Sequence, residues 1–577
     1  MKSLKDLKRN LKLDMGALPT VRVALLGDSA TQFLATAIRG EGYDRGYNVE
    51  LYESDYNQIE RQVLDPTSEY HQFKASYTII FQSTHKLLEK YSLSSASERR
   101  NLADERISLL RELCGNISGK VICFNYPEID DSVFGSYANK IEQSFTYQVR
   151  KLNYQLMNLA SQIPDLFICD LASLQSKFGR DHIFDSHIYI STEMLLSLDS
   201  LPYVASRCLD IVCAIEGKFK KCLILDLDNT IWGGTVGDDG WEGIQIGHSL
   251  GIGKAYTEIQ EWIKKLKARG IIIAVCSKND EDKAKEPFEK NPEMILRLED
   301  ISVFIANWDN KVNNIKFIQS ILNIGFDSMV FLDDNPFERN MVRENIPGIT
   351  VPELPDDPGN YLEYLYSLNL FETASYSETD SKRTEQYRQE AVRVSQRMKF
   401  TNEADYLKSL NMKAKVESFN NYNTPRIAQL SQRSNQFNLR TVRYTENDIM
   451  GMRDNAEYAC FAFSLSDKYG DNGLISAVIM KVLDSETLFI DTWFMSCRVL
   501  KRGMESFILN TIAGYAKDNG YRKLIGEYIP TAKNGMVKSL YTELGFIESS
   551  NKEKERDEYE LDTSSYRTKI CFIQKED

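Results

Sequence analysis

The chain has 577 residues, with 70 basic against 83 acidic side chains and a formal net charge of −13. At about 100–200 residues per domain, this length predicts three or four domains and excludes a single core. A hydrophobic fraction of 42% and a charged fraction of 27% exclude a mainly disordered chain. The acidic balance, with no long run of Lys and Arg, argues against a nucleic-acid-binding protein.

The sequence also bears on cellular location. It has no run of about 18 apolar residues, so it predicts no membrane-spanning helix. The amino-terminal segment is charged and lacks the apolar stretch of a secretory signal. The 10 cysteines are scattered without a CxxC pair, which favours free thiols in a reducing compartment. We therefore expect a cytoplasmic protein.

Between about residues 20 and 365, apolar runs of strand length alternate with amphipathic stretches of helix length. The runs occupy residues 21–26, 78–81, 121–124, 223–227, 271–276, 303–306 and 329–332. Because these runs are continuously apolar, they predict parallel strands that are covered by helices on both faces. This part of the chain is therefore predicted to be α/β.

Two α/β units fit this pattern better than one sheet. Helical stretches at 138–162 and 192–215 close a first unit, predicted at residues 1–218. The second unit is predicted at 219–365 and ends in the Pro/Gly-rich segment 351–359. Residues 366–404 predict a helical connector. Short strands at 459–465, 474–482 and 487–494, and a helix at about 503–519, predict an α+β unit over residues 405–577.

The strongest chemical signal is the segment Leu223-Ile-Leu-Asp226-Leu-Asp228-Asn-Thr230. It delivers two carboxylates, two residues apart, at the carboxyl end of an apolar strand. Open α/β sheets place their active sites at this edge. A bend after Asp226 would aim the two side chains differently.

Later strands of the same unit also end in polar residues, which are Ser277, Lys311, Asp333 and Asp334. Carboxylates from two strand ends form a hard-oxygen pocket suited to Mg²⁺. A hydroxyl at a helix N-terminus and a lysine can hold phosphate oxygens. Any one of these pieces is common as a turn or a cap, but four of them in this order indicate a phosphate-handling site.

These four segments, DLDNT, the serine after IAVC, the lysine of NWDNK, and FLDDNP, resemble the four motifs of the haloacid dehalogenase (HAD) superfamily. The neighbouring segment WGGTVGDDGWEGI, residues 232–244, resembles the FkbH branch. The resemblance implies a Rossmannoid HAD core, and it suggests that the whole multidomain chain is FkbH-like.

The resemblance also implies residue roles. Asp226 would attack phosphorus and become a phosphoaspartate, while Asp228 would act as general acid and then general base, oriented by Thr230. Two residues, Ser277 and Lys311, would bind the transferred phosphoryl group. The implied Mg²⁺ site consists of Asp226, Asp228, Asp333 and Asp334.

The spacing of these motifs leaves no room for a separate cap domain. Between Asp228 and Ser277 lie a glycine-rich hairpin and one helix, and between Ser277 and Lys311 a helix and a strand. A capless site is open. We expect either a large substrate or a lid from another domain, because an open site needs something that excludes water during the reaction.

Near the amino terminus, Gly27-Asp-Ser29 after the first strand resembles the first block of SGNH-type hydrolases. The other candidates for this second site are Asn125, Asp185 and His187, whose surroundings match the family pattern poorly. A nucleophilic serine needs a base within hydrogen-bond reach and a third group that orients the base. We therefore favour a tight turn in a non-catalytic SGNH-like or flavodoxin-like unit, with an esterase as the alternative.

Near the carboxyl terminus, a loop that leads from a strand into a helix resembles the acyl-CoA-binding loop of GNAT acetyltransferases. Its candidate cofactor-binding residues are Arg498, Lys501, Arg502 and Gly503. The resemblance implies that backbone amides of this loop cradle a pyrophosphate. Lys501 replaces the first expected glycine. Binding of acyl-CoA or phosphopantetheine is therefore an expectation, and acetyltransferase activity does not follow.

Three functions remain open at this point. The first is a Mg²⁺-dependent phosphatase that acts through Asp226 on a phosphorylated metabolite or a carrier-linked substrate. The second, implied by the FkbH resemblance, is a glyceryl transferase and dephosphorylase that loads a three-carbon acyl unit onto an acyl carrier protein; Cys276 or Cys497 would supply its thiol. In the third, the flanking domains are non-catalytic modules that dock the substrate or the carrier.

Overall fold

The computed structural model describes residues 2–376, 383–397, 400–531, 533–549 and 557–576. The chain divides into two compact units, Met1–Ala214 and Ile215–Asp577. The division falls four residues before the boundary predicted at 218. Among the described residues, no helix has both the length and the apolar character needed to cross a membrane.

The first unit contains a five-stranded parallel sheet with the strand order β2-β1-β3-β4-β5. Its strands are β1 (Thr20–Gly27), β2 (Asn48–Glu53), β3 (Tyr77–Phe81), β4 (Lys120–Phe124) and β5 (Leu166–Cys169). Its helices are α1 (Leu4–Asn10), α2 (Gln32–Asp44), α3 (Ile59–Leu64), α4 (Glu69–Phe73), α5 (Thr84–Leu93), α6 (Ala96–Asn116), α7 (Phe145–Gln162), α8 (Leu171–Phe178), α9 (Arg180–Ile183), α10 (Ser186–Thr192) and α11 (Leu201–Ile215). This order is the flavodoxin-like arrangement, so the predicted α/β class is confirmed.

The second unit begins with a four-stranded parallel sheet in the order β8-β7-β6-β9. Its strands are β6 (Cys222–Leu225), β7 (Ile272–Ser277), β8 (Val303–Ala306) and β9 (Met329–Leu332). Its helices are α12 (Val236–Gly243), α13 (Ile252–Ala268), α14 (Glu281–Lys290), α15 (Lys311–Leu322), α16 (Pro336–Asn345) and α17 (Tyr361–Leu368).

Successive residues of these strands enter two different hydrophobic clusters. Leu223 and Leu225 belong to one cluster, and Cys222 and Ile224 belong to the other. The sheet is therefore buried on both faces, as the continuously apolar sequence of its strands predicts. Its candidate functional side chains therefore lie at the carboxyl edge of the sheet.

The rest of the second unit carries an eight-stranded sheet in the order β15-β16-β14-β13-β12-β11-β10-β17. Helices α18 (Arg383–Arg397) and α19 (Glu403–Ser409) lead into this sheet. Its strands are β10 (Met412–Ser418), β11 (Tyr458–Asp467), β12 (Gly470–Val482), β13 (Thr487–Met495), β14 (Lys523–Tyr528), β15 (Ile547–Glu548), β16 (Asp557–Asp562) and β17 (Ile573–Lys575). Its helices are α20 (Thr424–Arg433), α21 (Glu446–Arg453), α22 (Met504–Asp518) and α23 (Leu540–Glu543). The predicted α+β class is confirmed.

Candidate active site

Three carboxylates meet at the carboxyl edge of the four-stranded sheet. Asp226 directly follows β6, while Asp333 and Asp334 directly follow β9, and the two strands pair in register through Leu225 and Leu332. The Asp226 N–H donates to the Leu332 carbonyl oxygen at 2.9 Å, which extends the pairing to the site. One carboxylate oxygen from each of the three aspartates lies within 4.8 Å of the others.

Lys311, the first residue of α15, joins these carboxylates. Its Nζ lies 2.8 Å from Asp226 Oδ2 and 2.5 Å from Asp333 Oδ2, and all three side chains are buried. Burial alone would lower the pKa of Lys311. The charges of Asp226 and Asp333 outweigh burial and raise the pKa above its ordinary value. Lys311 is therefore a fixed cation at the base of the site.

The carboxylates repel one another despite this lysine. Burial, and then the charge of Asp226, raise the pKa of Asp333 to about 7. The same two causes raise the pKa of Asp334. A divalent cation would relieve this repulsion, and three carboxylate oxygens are a donor set that Mg²⁺ accepts. The residues present therefore fit the predicted metal.

Asp228 points elsewhere. Its Oδ1 accepts hydrogen bonds from Trp232 Nε1 at 2.8 Å and from the Val236 N–H at 3.0 Å. Its Oδ2 accepts from Asn279 Nδ2 at 2.8 Å. The sequence predicts Asp228 as a metal ligand, but the structure does not place its carboxylate in the group formed by Asp226, Asp333 and Asp334.

A turn directly follows the second motif aspartate. Asn229 has a φ of 52°, a left-handed conformation that asparagine tolerates better than most residues. The chain therefore bends sharply after Asp228, two residues beyond the position at which the sequence predicts a bend. Strand periodicity does not hold at this point.

Thr230, which was expected to orient Asp228, instead contacts Asp334. Its Oγ1 accepts from the Asp334 N–H at 3.1 Å and donates to Asp334 Oδ1 at 3.4 Å. The reason is geometric: the bend at Asn229 carries Thr230 towards the end of β9. Ser277 is the last residue of β7 and is buried at the same edge of the sheet, as predicted.

Sequence reasoning missed Asn279 and Trp232 as partners of Asp228. Both are buried. Asn279 lies two residues after Ser277, so its position just beyond a strand end was a usable signal. The sequence contained no comparable signal that the indole N–H of Trp232 would turn towards a carboxylate.

Comparison with known proteins adds to this geometry. The family model for the FkbH N-terminal domain matches residues 22–213. The structure is similar to the crystal structure of the N-terminal part of the protein BF1531 from Bacteroides fragilis, which contains a phosphatase domain complexed with Mg. Identity is 66% and the TM-score is 0.64, over 65% of this chain and 100% of that chain. The chain belongs to the FkbH-like family. It therefore contains a phosphatase-type domain of the HAD superfamily.

Two further similarities cover the carboxyl-terminal part of this FkbH-like protein. The ribosomal-protein-S18-alanine N-acetyltransferase from Escherichia coli is 16% identical over 27% of this chain and 98% of that chain, with a TM-score of 0.21. The GNAT domain of S. lividans PAT is 16% identical over 26% of this chain and 89% of that chain, with a TM-score of 0.21. No curated protein matches the chain.

In the first unit of the FkbH-like protein, the candidate second site is not assembled as a triad. Ser29 is fully buried and its Oγ has no hydrogen-bond partner among the described residues. Asp185 caps α10 by accepting from the His187 N–H at 2.9 Å, and His187 is exposed. Asn125 donates to Asp170 Oδ1 at 2.7 Å. These contacts fit the favoured interpretation of a non-catalytic turn.

The two candidate thiols lie in different surroundings. Cys276 is fully buried, and its Sγ lies 3.8 Å from the carbonyl oxygen of Lys311. Burial raises the pKa of Cys276 far above its ordinary value, which disfavours the nucleophilic thiolate. Cys497 is half-buried and lies 4.0 Å from the Tyr387 hydroxyl, in the part of the unit next to the eight-stranded sheet.

The arginines of the predicted cofactor loop have other partners. Arg498 donates to Gln386 Oε1, on α18. Arg502 pairs with Glu390, also on α18, and with Asp467 at 3.3 Å. Both arginines are buried. Their contacts connect α18, the connector helix, to the layer of the eight-stranded sheet.

The backbone of the same loop is partly engaged as well. The Lys501 N–H donates to Glu505 Oε1 at 3.3 Å, and Gly503, with a φ of 85°, precedes α22. A carboxylate thus lies where the family resemblance would put a pyrophosphate. Binding of acyl-CoA or phosphopantetheine stays a prediction that these contacts do not favour.

Proposed function

We propose that the protein is a Mg²⁺-dependent phosphatase that acts through a phosphoaspartate on Asp226. The observation that carries the proposal is the contact of Lys311 with both Asp226 and Asp333, with Asp334 in the same group. The site combines a carboxylate nucleophile, a fixed cation and a hard-oxygen donor set. Phosphoryl transfer depends on positioning and charge stabilisation of this kind.

In the first step, a carboxylate oxygen of Asp226 attacks the phosphorus of the substrate and the bond to the leaving oxygen breaks. Lys311 and Ser277 hold the non-bridging oxygens of the phosphoryl group, and Asp228 donates a proton to the leaving oxygen. The metal, held by Asp226, Asp333 and Asp334, would supply further positive charge against the anionic phosphate.

In the second step, Asp228 accepts a proton from a water molecule that attacks the same phosphorus. The bond between phosphorus and Asp226 breaks, inorganic phosphate leaves, and the free carboxylate is restored. Three hydrogen bonds hold Asp228 away from the metal-binding carboxylates. Its separate orientation supports a role in proton transfer rather than in metal binding.

The substrate is proposed to be a phosphorylated small molecule or a carrier-linked one. In residues 219–365, all of which the structure describes, only α12 and α13 separate β6 from β7, and only α14 and a short 3₁₀ turn separate β7 from β8. No cap domain stands over the site within this range. This openness supports a substrate that can be bulky beyond its phosphate.

Acyl transfer to a carrier protein is a weaker alternative. It requires a reactive thiol; of the two candidates, Cys276 is buried with a raised pKa, and Cys497 is half-buried beside the eight-stranded sheet. Docking of an acyl carrier protein on the flanking domains also stays a proposal. We therefore place phosphate release first.

Phosphate release from a panel of phosphomonoesters, measured with Mg²⁺ and with EDTA, tests the proposal. Asp226→Asn preserves the shape of the side chain but removes the nucleophilic charge, and we expect it to abolish Mg²⁺-dependent turnover. The matched control is Asp282→Asn, an exposed aspartate in the first turn of α14. Equal release by the unaltered protein and Asp226→Asn would exclude the assignment.

A further inference from the structure

Arg339 is a buried arginine near the start of α16, and it is only 5% exposed. A guanidinium group stays charged at any working pH, so its burial requires hydrogen-bond partners. Its Nη1 donates to the carbonyl oxygens of Asp333 at 2.9 Å and Asp334 at 2.6 Å. Its Nε donates to Glu353 Oε2 at 3.0 Å. Arg339 lies outside the four motif segments, yet two of its partners are backbone groups of the last of them.

The two carbonyl oxygens belong to the turn that follows β9 and carries Asp333 and Asp334. Because a peptide group is planar, holding its carbonyl oxygen fixes the orientation of the whole group. The carbonyl groups of Asp333 and Asp334 belong to the two peptide groups that flank the Cα atom of Asp334. Fixing both planes restricts the φ and ψ angles of Asp334. The direction in which its carboxylate leaves the backbone is then restricted as well.

Two further hydrogen bonds restrain the same turn. The Asn335 N–H donates to Asp333 Oδ1 at 2.8 Å, and the Asp334 N–H donates to Thr230 Oγ1 at 3.1 Å. Both bonds use N–H donors of the turn, whereas Arg339 donates to its carbonyl oxygens. The guanidinium group therefore supplies a restraint that these two bonds do not.

Glu353 holds the guanidinium group of Arg339 and is shared with a second arginine. Its carboxylate also pairs with Arg343, which lies one turn farther along α16 and is 41% exposed. Arg343 donates in addition to the Val351 carbonyl oxygen at 3.1 Å and to Asn340 Oδ1 at 2.7 Å. Among the hydrogen bonds of the described residues, none joins Arg343 to the turn after β9. Two arginines of one helix thus share Glu353, and one of them contacts the proposed metal-binding turn.

We propose that Arg339 is a positioning residue that sets the affinity of the site for Mg²⁺ by holding the turn of Asp333 and Asp334. Mg²⁺ tolerates little deviation in the geometry of its ligands, so the carboxylates of this turn must meet that of Asp226 at one point. Contacts that orient metal ligands raise metal affinity, because ligands that are already positioned lose less conformational freedom on binding. The inference rests on the proposed Mg²⁺-dependent function. It concerns the affinity for the metal rather than the chemical step.

Metal binding can be measured without turnover. The full-length protein is titrated with Mn²⁺, which accepts the same oxygen ligands, and the free ion is followed by its EPR signal; Mg²⁺ is then used to displace it. Arg339→Met keeps a long side chain but removes the charge and the donors, and we expect both ions to bind about tenfold more weakly. Arg339→Lys keeps a cation but places it on one nitrogen, so we expect a smaller loss. The lysine variant also tests the proposal if Arg339→Met does not fold.

Arg343→Met is the matched control, because it removes the other arginine that pairs with Glu353, and we expect it to leave the metal affinity unchanged. In phosphate release, Arg339→Met should raise the Mg²⁺ concentration for half-maximal activity and keep most of kcat at saturating Mg²⁺. Equal affinity in the unaltered protein and both Arg339 variants, or an equal loss in Arg343→Met, would overturn the proposal. If the protein binds the metal but releases no phosphate from any ester, the proposed phosphatase is wrong, and the affinities alone decide the role of Arg339.

Discussion

Asp228 illustrates how much of the chemistry depends on one neighbour. Among its three hydrogen-bond donors, Asn279 is a side chain from the end of a different strand, β7, and it contacts the oxygen that Trp232 and Val236 leave available. Asn279 is therefore a positioning residue for the proposed acid and base. Its contact with Asp228 connects the first and second motif segments.

We expect Asn279→Ala to lower kcat by about tenfold or more, because general acid–base catalysis depends on the orientation of the proton donor. The substrate KM and the Mg²⁺ concentration for half-maximal activity should stay unchanged, since Asn279 contacts none of the three clustered carboxylates. The control is Asn313→Ala, an exposed asparagine of α15. A change in KM or in Mg²⁺ dependence with kcat unchanged would contradict this role.

Asp28, in the first unit, is a buried carboxyl group whose ionisation destabilises the folded protein. Burial raises the pKa of Asp28 to about 6, although a hydrogen bond from the Ser83 N–H at 2.8 Å opposes the rise. Its Oδ1 has no hydrogen-bond partner among the described residues. The folded protein therefore holds a proton here at pH values at which the unfolded chain has released it.

The pH dependence follows from this difference in proton binding. Between the ordinary pKa of 3.8 and about 6, the unfolded chain binds fewer protons, so the contribution of Asp28 to stability falls as pH rises. Asp28→Asn keeps an acceptor for Ser83 but removes the charge. We expect it to stabilise the first unit at pH 8 by up to the order of 3 kcal/mol, and not at pH 3. Urea unfolding at both pH values measures this; equal effects at the two would refute it.

At the scale of elements, the connector helix α18 packs on both layers of the second unit. Tyr387 belongs to a hydrophobic cluster of the four-stranded sheet. Arg393 forms a bidentate pair with Asp467 of β11, both bonds being 2.8 Å, and Glu390 pairs with Arg502. The sequence predicted a helical connector here, and the structure shows that this helix is a packed part of the unit.

Breaking this buried ion pair should strongly lower the free energy of unfolding. Asp467→Asn leaves two arginines with one acid in a site where the side chains of Arg393 and Asp467 are at most 1% exposed. We expect a loss of roughly 3–5 kcal/mol in the free energy of unfolding by urea. Replacing both partners, as in Arg393→Met with Asp467→Leu, should cost less than the single change. Glu385→Gln, in an exposed pair, is the control and should change little.

The sequence predicts most strands of the two parallel sheets, but not the two edge strands of the first sheet. β8 and β9 have the predicted bounds, and β1, β3, β4, β6 and β7 differ from them by one or two residues. β2 and β5 are the edges of the first sheet. β2 mixes polar and apolar residues, and its Glu50 is exposed, whereas β5 is an apolar run of only four residues. Continuous apolar sequence marks strands that are covered on both faces, and it also identifies the edge strands β8 and β9 of the four-stranded sheet.

At the scale of the whole molecule, every residue assigned to the phosphatase site lies in the unit Ile215–Asp577. We expect a protein comprising residues 215–577 to retain Mg²⁺-dependent phosphate release, because both layers that α18 joins are present in it. The measurement is phosphate release by this fragment beside the same fragment with Asp226→Asn. An inactive fragment with a native-like circular dichroism spectrum would show that the first unit contributes to catalysis.

The charged residues behind the net charge of −13 are unevenly distributed in the molecule. At the carboxyl edge of the four-stranded sheet, acidic residues converge to make a proposed metal site around Lys311. At the amino edge, basic residues converge on a cavity with Asp327 as the one acidic residue in its described lining. The global charge argues against a nucleic-acid ligand, but it describes neither of these two places.

The sequence by itself determined the fold classes and predicted that Asp226, Lys311 and Asp333 belong to one proposed site. It could do so because buried strands are continuously apolar and because parallel strands end at one edge. Only the tertiary structure decided that Thr230 contacts Asp334 and that Asn279 donates a hydrogen bond to Asp228. It also decided that the arginines of the loop bind residues of α18. Those contacts join residues that are far apart in the chain. Which residues meet depends on the left-handed turn at Asn229 and on the packing between the layers, and no local sequence pattern encodes either.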